Sequence, residues 1–190
     1  MGWEDRPVDH FNHQLFVWLA AGYAPNAFLL SLARWLSQVG GWLAFAGVAW
    51  ALWTKPSRRG YLFCGVVVCG LAAMAAHALA AYVNSPRPFM VGLSPTYVPH
   101  GSRGGLPSAH ATVLWTLAFL CLLRVDLRRL GLWVSSCALA VCWARVYCGL
   151  HFPLDILAGM GLAMAIALTF YVAALAWTHL SSLRDREPIL

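Results

Sequence analysis

Residues 144–155, ARVYCGLHFPLD, hold Arg145, His151 and Asp155 between two long apolar runs. Ionisable groups at a membrane edge are costly unless they bind or react with something. His151 and Asp155 are four residues apart, and Pro153 between them suits the first turn of a helix. That spacing places both on one face of a beginning helix, where the carboxylate can set the imidazole's tautomer and support its positive form. Two other segments carry related chemistry. Arg87 stands between Pro86 and Pro88, which stop helix continuation and fix the direction of a guanidinium whose planar fork suits phosphate oxygens. In GGLPSAHAT, the glycines allow close backbone approach and Ser108 is a natural N-cap. The free amides and positive dipole end there make an anion site, with His110 in the first turn facing it.

Together these residues provide cationic clamps, an anion-binding helix start, and two histidines of which one has an acidic partner. That division suits a nucleophile and a general acid acting on a phosphoryl group. It does not suit a metal site, because the carboxylates are few and the arginines repel a cation. Each piece alone has a plainer reading: a snorkelling arginine, a helix cap, a helix-surface pair. Their agreement on one side of one bundle is what favours the chemical reading.

The elements that must position them are transmembrane helices. The chain has 190 residues, 61% hydrophobic and 11% charged, which indicates one membrane-integrated domain over residues 1–190. Glu4, Asp5 and Asp9 stand where a signal peptide carries basic residues, so insertion is expected to rely on the helices themselves. A crossing needs about 20 helical residues. Five spans are expected, near 30–53, 61–83, 108–124, 131–149 and 153–178, the third extending toward the polar loop before it. Residues 9–22 are too short and polar to span. With Phe11, Leu15, Phe16 and Leu19 on one face, they read as an interfacial helix against the bundle. The fold class is thus all-α, a polytopic bundle of about five spans plus that helix. The six cysteines, 64, 69, 121, 137, 142 and 148, lie in apolar runs and read as packing residues. Neither a disulfide framework nor a zinc site is expected.

Alternating the spans separates two sets of cations. Lys55, Arg58, Arg59, Arg124, Arg128, Arg129, Arg184 and Arg186 fall on one side. Arg6, Arg87, Arg103 and Arg145 fall on the other. The positive-inside rule puts the first set in the cytoplasm and loop 84–107 outside. All three chemical segments then emerge on the outer face. Trp3, Trp18, Trp133 and Tyr147 are candidate interfacial anchors. The net charge of +6 lies in short juxtamembrane runs rather than a stripe, so no nucleic-acid partner is expected.

At these residues the sequence resembles the type-2 phosphatidic acid phosphatase superfamily, which includes the vanadium haloperoxidases. The family pattern is Lys-x6-Arg-Pro, Pro-Ser-Gly-His and Ser-Arg-x5-His-x3-Asp. Here the third reads Arg145-x5-His151-x3-Asp155 behind Ala144, the second Pro107-Ser108-Ala109-His110, and the first Arg87-Pro88 with Ala80 at the lysine position. The resemblance implies phosphate hydrolysis through a phosphohistidine, with no metal or cofactor. His151 attacks phosphorus and Asp155 steadies its imidazolium. His110 protonates the leaving oxygen and then activates water. Arg87, Arg145, Ser108 and nearby amides hold the transferring group. His77, three residues before Ala80, lies on a similar face but deeper, where it either stands in for the lysine or is packed and neutral.

Within the family, the short chain and the stretch YVPHGSRGGLPSAHAT look most like bacterial undecaprenyl-diphosphate phosphatases, which recycle the cell-wall lipid carrier at the outer face of the inner membrane. The implied partners are the bilayer and a polyprenyl diphosphate, with His100 or Arg103 as candidate contacts to its second phosphate. The same residues also suit a phosphatidylglycerophosphate or phosphatidate phosphatase, or a lipid A phosphatase or phosphotransferase. A transporter or binding protein for anionic lipids is the non-enzymatic alternative.

Overall fold

The computed structural model describes residues 7–184, and among them the chain is entirely helical outside its turns and loops. The helices are α1 (Pro7–Leu19), α2 (Ala27–Thr54), α3 (Arg59–Val83), α4 (Ala109–Leu122), α5 (Arg128–Tyr147) and α6 (Pro153–Arg184). Local chemistry sets their ends. Asn26 caps α2, its Oδ1 accepting from the Leu29 amide at 3.1 Å. Asn84 closes α3 in the left-handed region at φ 47°, and the following Ser85–Pro86 cannot continue the helix. Pro153 opens α6, where its missing amide hydrogen costs nothing.

Four helices are long and apolar enough to cross a bilayer: α2, α3, α5 and α6. Their outward surfaces carry Phe28, Trp50, Trp53, Phe63, Met74 and Trp177, all exposed. Such a surface is a liability in water and the proper face toward lipid. The expected extension of the third span into the preceding loop does not occur. Helix α4 has 14 residues, a rise of about 21 Å, short of the ~30 Å hydrocarbon core. It need not span unaided, because α3, α5 and α6 enclose it and everything from Leu114 to Cys121 is buried. Gly159 lets α6 come close: a Cβ there would lie 2.8 Å from the Ser108 carbonyl oxygen and 3.0 Å from the Ala111 Cβ. Cys69, Cys121, Cys137, Cys142 and Cys148 are buried in this packing, whereas Cys64 is exposed.

The two ends of the bundle differ. At one, Lys55 donates to the Asp126 carbonyl oxygen at 3.0 Å, while Arg58 and Arg124 pair with the Asp126 carboxylate. At the other, loop 84–108 meets the turn between α5 and α6, as in the Tyr97 amide's 3.2 Å bond to the Cys148 carbonyl oxygen. The basic clusters and the chemical segments are therefore at opposite ends.

Helix α1 packs on a face rotated from the expected one. Phe16 is buried as expected, but Phe11 and Leu19 point outward and Asn12 is buried in their place. The cause is polar. Asn12 Oδ1 accepts from the Leu154 amide at 3.1 Å, satisfying an orphan donor in the first turn of α6 from 142 residues away. Phe16 meets Phe152 edge-on at 5.4 Å, and His13 stacks on the same ring at 5.0 Å. Trp18 is 85% exposed, as an interfacial anchor requires. Tyr147 is not an anchor: it is buried against Trp143. Trp3, Glu4, Asp5, Arg6 and Arg186 lie outside the described residues, as do the side chains of Asp9 and Arg184.

Asn12→Leu is expected to destabilise the protein by about 0.5–2 kcal/mol, the value of a lost N-cap. Asn12→Asp keeps the acceptor near a helix N-terminus and should retain most of the stability. Thermal unfolding in detergent measures both; equal melting temperatures for Asn12→Leu and the parent chain contradict the cap.

Candidate active site

Pro86 and Pro88 project Arg87 inward from the end of α3, and three of its five guanidinium N–H groups donate to backbone. Nε donates to the Arg103 carbonyl oxygen at 2.7 Å, Nη2 to that of Gly104 at 3.1 Å, and Nη1 to that of Leu150 at 2.8 Å. Nη1 also lies 3.1 Å from His151 Nε2. One side chain thus ties the loop before α4 to the turn before α6. The glycines of GGLPSAH permit this approach. A Cβ on Gly105 would fall 2.8 Å from Asp155 Oδ2 and 3.3 Å from Arg87 Cγ.

His151 is buried in the turn between α5 and α6. Its Nδ1 lies 3.3 Å from Asp155 Oδ2, which also accepts from the Phe152 amide at 2.9 Å. A carboxylate can only accept, so the Asp155 contact puts the proton on Nδ1 and leaves the lone pair at Nε2. Burial holds the imidazole well below its ordinary pKa, and Arg145 and Arg87 reinforce the effect. The ring is neutral at pH 7, with its lone pair at Nε2. The i, i+4 spacing in the sequence has become the arrangement expected from it.

Helix α4 supplies the opposite side. Ser108 occupies the N-cap position, yet its hydroxyl caps nothing and is buried without a partner. Its amide instead donates to the Asp155 carbonyl oxygen at 3.0 Å, joining the second chemical segment to the third. His110, in the first turn, faces the cavity. Arg145, in the last turn of α5, is 3% exposed, and its Nε has no hydrogen-bond partner among the described residues. The buried charges here are two guanidinium groups against one carboxylate, Asp155. An unpaired buried cation is expensive and fits a place prepared for an anion.

A cavity of about 660 Å³ opens over these groups and runs down between α2 and α3. Arg87, Arg145, His110 and His151 line its upper part, as do His100 and Arg103 from the loop. The His100 ring stands edge-on to His151 with centroids 6.4 Å apart. Burial, then Arg145, Arg87 and His77, push His100 down to about 4. His77 borders the cavity and is exposed to it, so it is not packed away. Sequence reasoning named all eight candidate residues that meet here. It did not find Ser37 and Gln38, polar members of the α2 wall, or Asn12 behind the turn that carries His151. A polar residue in an apolar span was the available signal for the first two. Among the described residues, no three His, Cys, Asp or Glu side chains are grouped to hold a metal ion.

Comparison with known proteins places this geometry. The PAP2 superfamily pattern matches residues 60–179. The chain belongs to the PAP2 superfamily. It is accordingly a multi-pass membrane phosphatase. It is 27% identical over 180 residues to the putative undecaprenyl-diphosphatase YbjG of Escherichia coli (strain K12), covering 90% of this chain and 87% of that one. It is 28% identical over 133 residues to the undecaprenyl-diphosphatase BcrC of Bacillus subtilis (strain 168), covering 68% and 67%. The crystal structure of Aquifex aeolicus LpxE superposes with a TM-score of 0.63 at 19% identity, over 89% of this chain and 98% of that one. A transmembrane PAP2-type phosphatidylglycerolphosphate phosphatase from Bacillus subtilis gives 0.65 at 18% identity, over 92% and 89%. Against the PAP2 pattern this chain lacks the lysine, and the buried Ala80 stands at its position.

The His100 shift has a consequence for stability. The unfolded chain takes up a proton near pH 6.5, whereas the folded PAP2 domain does so only near 4. Stability is therefore full above about pH 6.5 and declines as the pH falls toward 4. His100→Gln should flatten this part of the stability–pH curve, measured by thermal unfolding in detergent without ligand. An unaltered slope means that His100 titrates normally.

Proposed function

We propose that this chain hydrolyses undecaprenyl diphosphate, or a close polyprenyl diphosphate, to the monophosphate and inorganic phosphate. The observation that carries the reading is Arg145, a buried guanidinium with an unpartnered Nε beside a neutral histidine whose Nδ1 is held by Asp155. In the proposed reaction His151 Nε2 attacks the terminal phosphorus. The bond from phosphorus to the bridging oxygen breaks, and that oxygen takes the electron pair and a proton from His110. Water, deprotonated by His110, then cleaves the phosphohistidine and releases phosphate. Arg145, the Ser108 hydroxyl and the first amides of α4 hold the transferring group, and the positive end of the helix favours its developing charge. Arg87 has most of its donors committed to carbonyl oxygens, so its main part is to hold the nucleophile turn, with little left for phosphate. His100 and Arg103 border the same space and supply further contacts.

The substrate assignment is supported by the two bacterial relatives, and by a cavity that descends between membrane helices as a long prenyl tail requires. The basic clusters at the opposite end of the bundle support a site on the outer face of a bacterial plasma membrane. Recycling of the cell-wall lipid carrier follows from that substrate and that side.

A substrate panel tests the reading. Purified protein in detergent should release phosphate from a polyprenyl diphosphate faster than from phosphatidylglycerophosphate, phosphatidate or lipid A. Efficient hydrolysis of a glycerophospholipid with the polyprenyl diphosphate left intact overturns the assignment. His151→Ala should abolish turnover while lipid still binds. Arg145→Lys should lower kcat/KM roughly tenfold to a hundredfold, the scale of one charge-assisted hydrogen bond. Lipid binding with no turnover by the unaltered protein would indicate a transporter or binding protein instead.

A further inference from the structure

Between α2 and α3 the cavity is more polar than a passage for a lipid tail needs to be. Ser37 and Gln38 on α2 face it from one side, and His77 on α3 from the other. All three belong to helices long and apolar enough to cross a bilayer, where a polar side chain turned to a cavity marks a ligand position more often than a packing role. Ser37 is 4% exposed, and its hydroxyl has no hydrogen-bond partner among the described residues. Gly40 abuts Val141 on α5, so Ser37, one turn nearer the site, is level with Ala144 and Arg145. His77 is near enough to act electrostatically on both His100 and His110.

The chemistry of this wall is that of donors. A serine hydroxyl, a glutamine amide and an imidazole can each give a hydrogen bond to an anionic oxygen. No carboxylate lines the cavity among the described residues, and its ionisable lining groups are all histidines and arginines. A lipid with one phosphate fills the Arg145–His151 end and leaves these donors unused. A second phosphate linked to the first brings further anionic oxygens into the cavity that these donors line.

We infer that Ser37, Gln38 and His77 form a second anion subsite, which holds the phosphate that remains on the lipid when a lipid diphosphate is cleaved. The inference rests on the phosphatase reading above and deepens it by naming the groups that select a diphosphate over a monophosphate. When His151 takes the terminal phosphoryl group, the bridging oxygen leaves with the bond electrons and the proton from His110. The departing product is a lipid monophosphate, and its oxygens are the ones these donors hold.

The test compares phosphate release by the full chain in detergent from a polyprenyl diphosphate and from the same polyprenyl monophosphate. Ser37→Ala and His77→Leu should each lower the diphosphate-to-monophosphate ratio of kcat/KM by roughly tenfold or more, as loss of a hydrogen bond to an anion does. His77→Gln keeps a donor and should recover most of that ratio. Ser37→Ala also removes an unpaired buried hydroxyl, so its melting temperature should equal or exceed the parent's. A wall that is merely structural predicts the opposite: equal falls on both substrates with a lowered melting temperature. Equal falls, or an unchanged ratio in both Ser37→Ala and His77→Leu, overturn the subsite while leaving the phosphatase reading standing. Release from neither lipid by the unaltered chain overturns both.

Discussion

The Arg87 guanidinium joins stretches of chain that are remote in sequence, and the rest of the site depends on how it spends its donors. Three backbone carbonyl oxygens and one imidazole nitrogen surround it, drawn from residues 103, 104, 150 and 151. Hydrogen bonds to a charged group are each worth about 1.5–3 kcal/mol, so the loop before α4 and the turn before α6 are held far more firmly than loops usually are. Arg145 is the same residue type under the opposite condition, buried with its Nε unpartnered. One guanidinium gives three of its N–H groups to backbone carbonyl oxygens, and the other has an Nε with no hydrogen-bond partner among the described residues. The Asp155 contact at Nδ1 leaves the imidazole lone pair at Nε2.

The short central helix serves the same end. Because α4 is enclosed by protein, it can stop at Ala109 and leave its first amides and His110 beneath loop 84–108. The cavity above it then continues sideways, between α2 and α3, into the lipid-facing part of the bundle. A polar head and an apolar tail can be accommodated together without lifting the lipid into water.

Local features of this arrangement were legible in the sequence. The four-residue spacing of His151 and Asp155, the N-cap position of Ser108 and the apolar lengths of the long spans all depend on near neighbours. The His151–Asp155 contact, a helix start after Ser108 and long apolar helices are all present. Features that depend on distant partners were not legible. Nothing near Arg87 in sequence shows that carbonyl oxygens at 103, 104 and 150 take three of its donors. Ser108 reads as a side-chain cap until its hydroxyl is found unbonded. The buried face of α1 was misplaced by about one residue because hydrophobicity alone favours Phe11 and Leu19. The decisive partner of Asn12 is the Leu154 amide, which no local pattern reveals. Helix α4 was expected to be longer because a crossing needs about 20 helical residues.

The bond between Asn12 and Leu154 also bears on biogenesis. It closes a loop of chain that contains α2, α3, α4 and α5, so it can form only after every intervening helix has entered the membrane and α6 has followed. The turn carrying His151 is braced by α1 on one side and by Arg87 on the other, and neither brace is complete in a partly inserted chain. Contacts this far apart in sequence are closed late, because the entropy of the connecting loop must be overcome first. A nascent chain caught halfway through translation therefore carries its chemical residues in disconnected pieces, and competence for catalysis arrives together with the final topology.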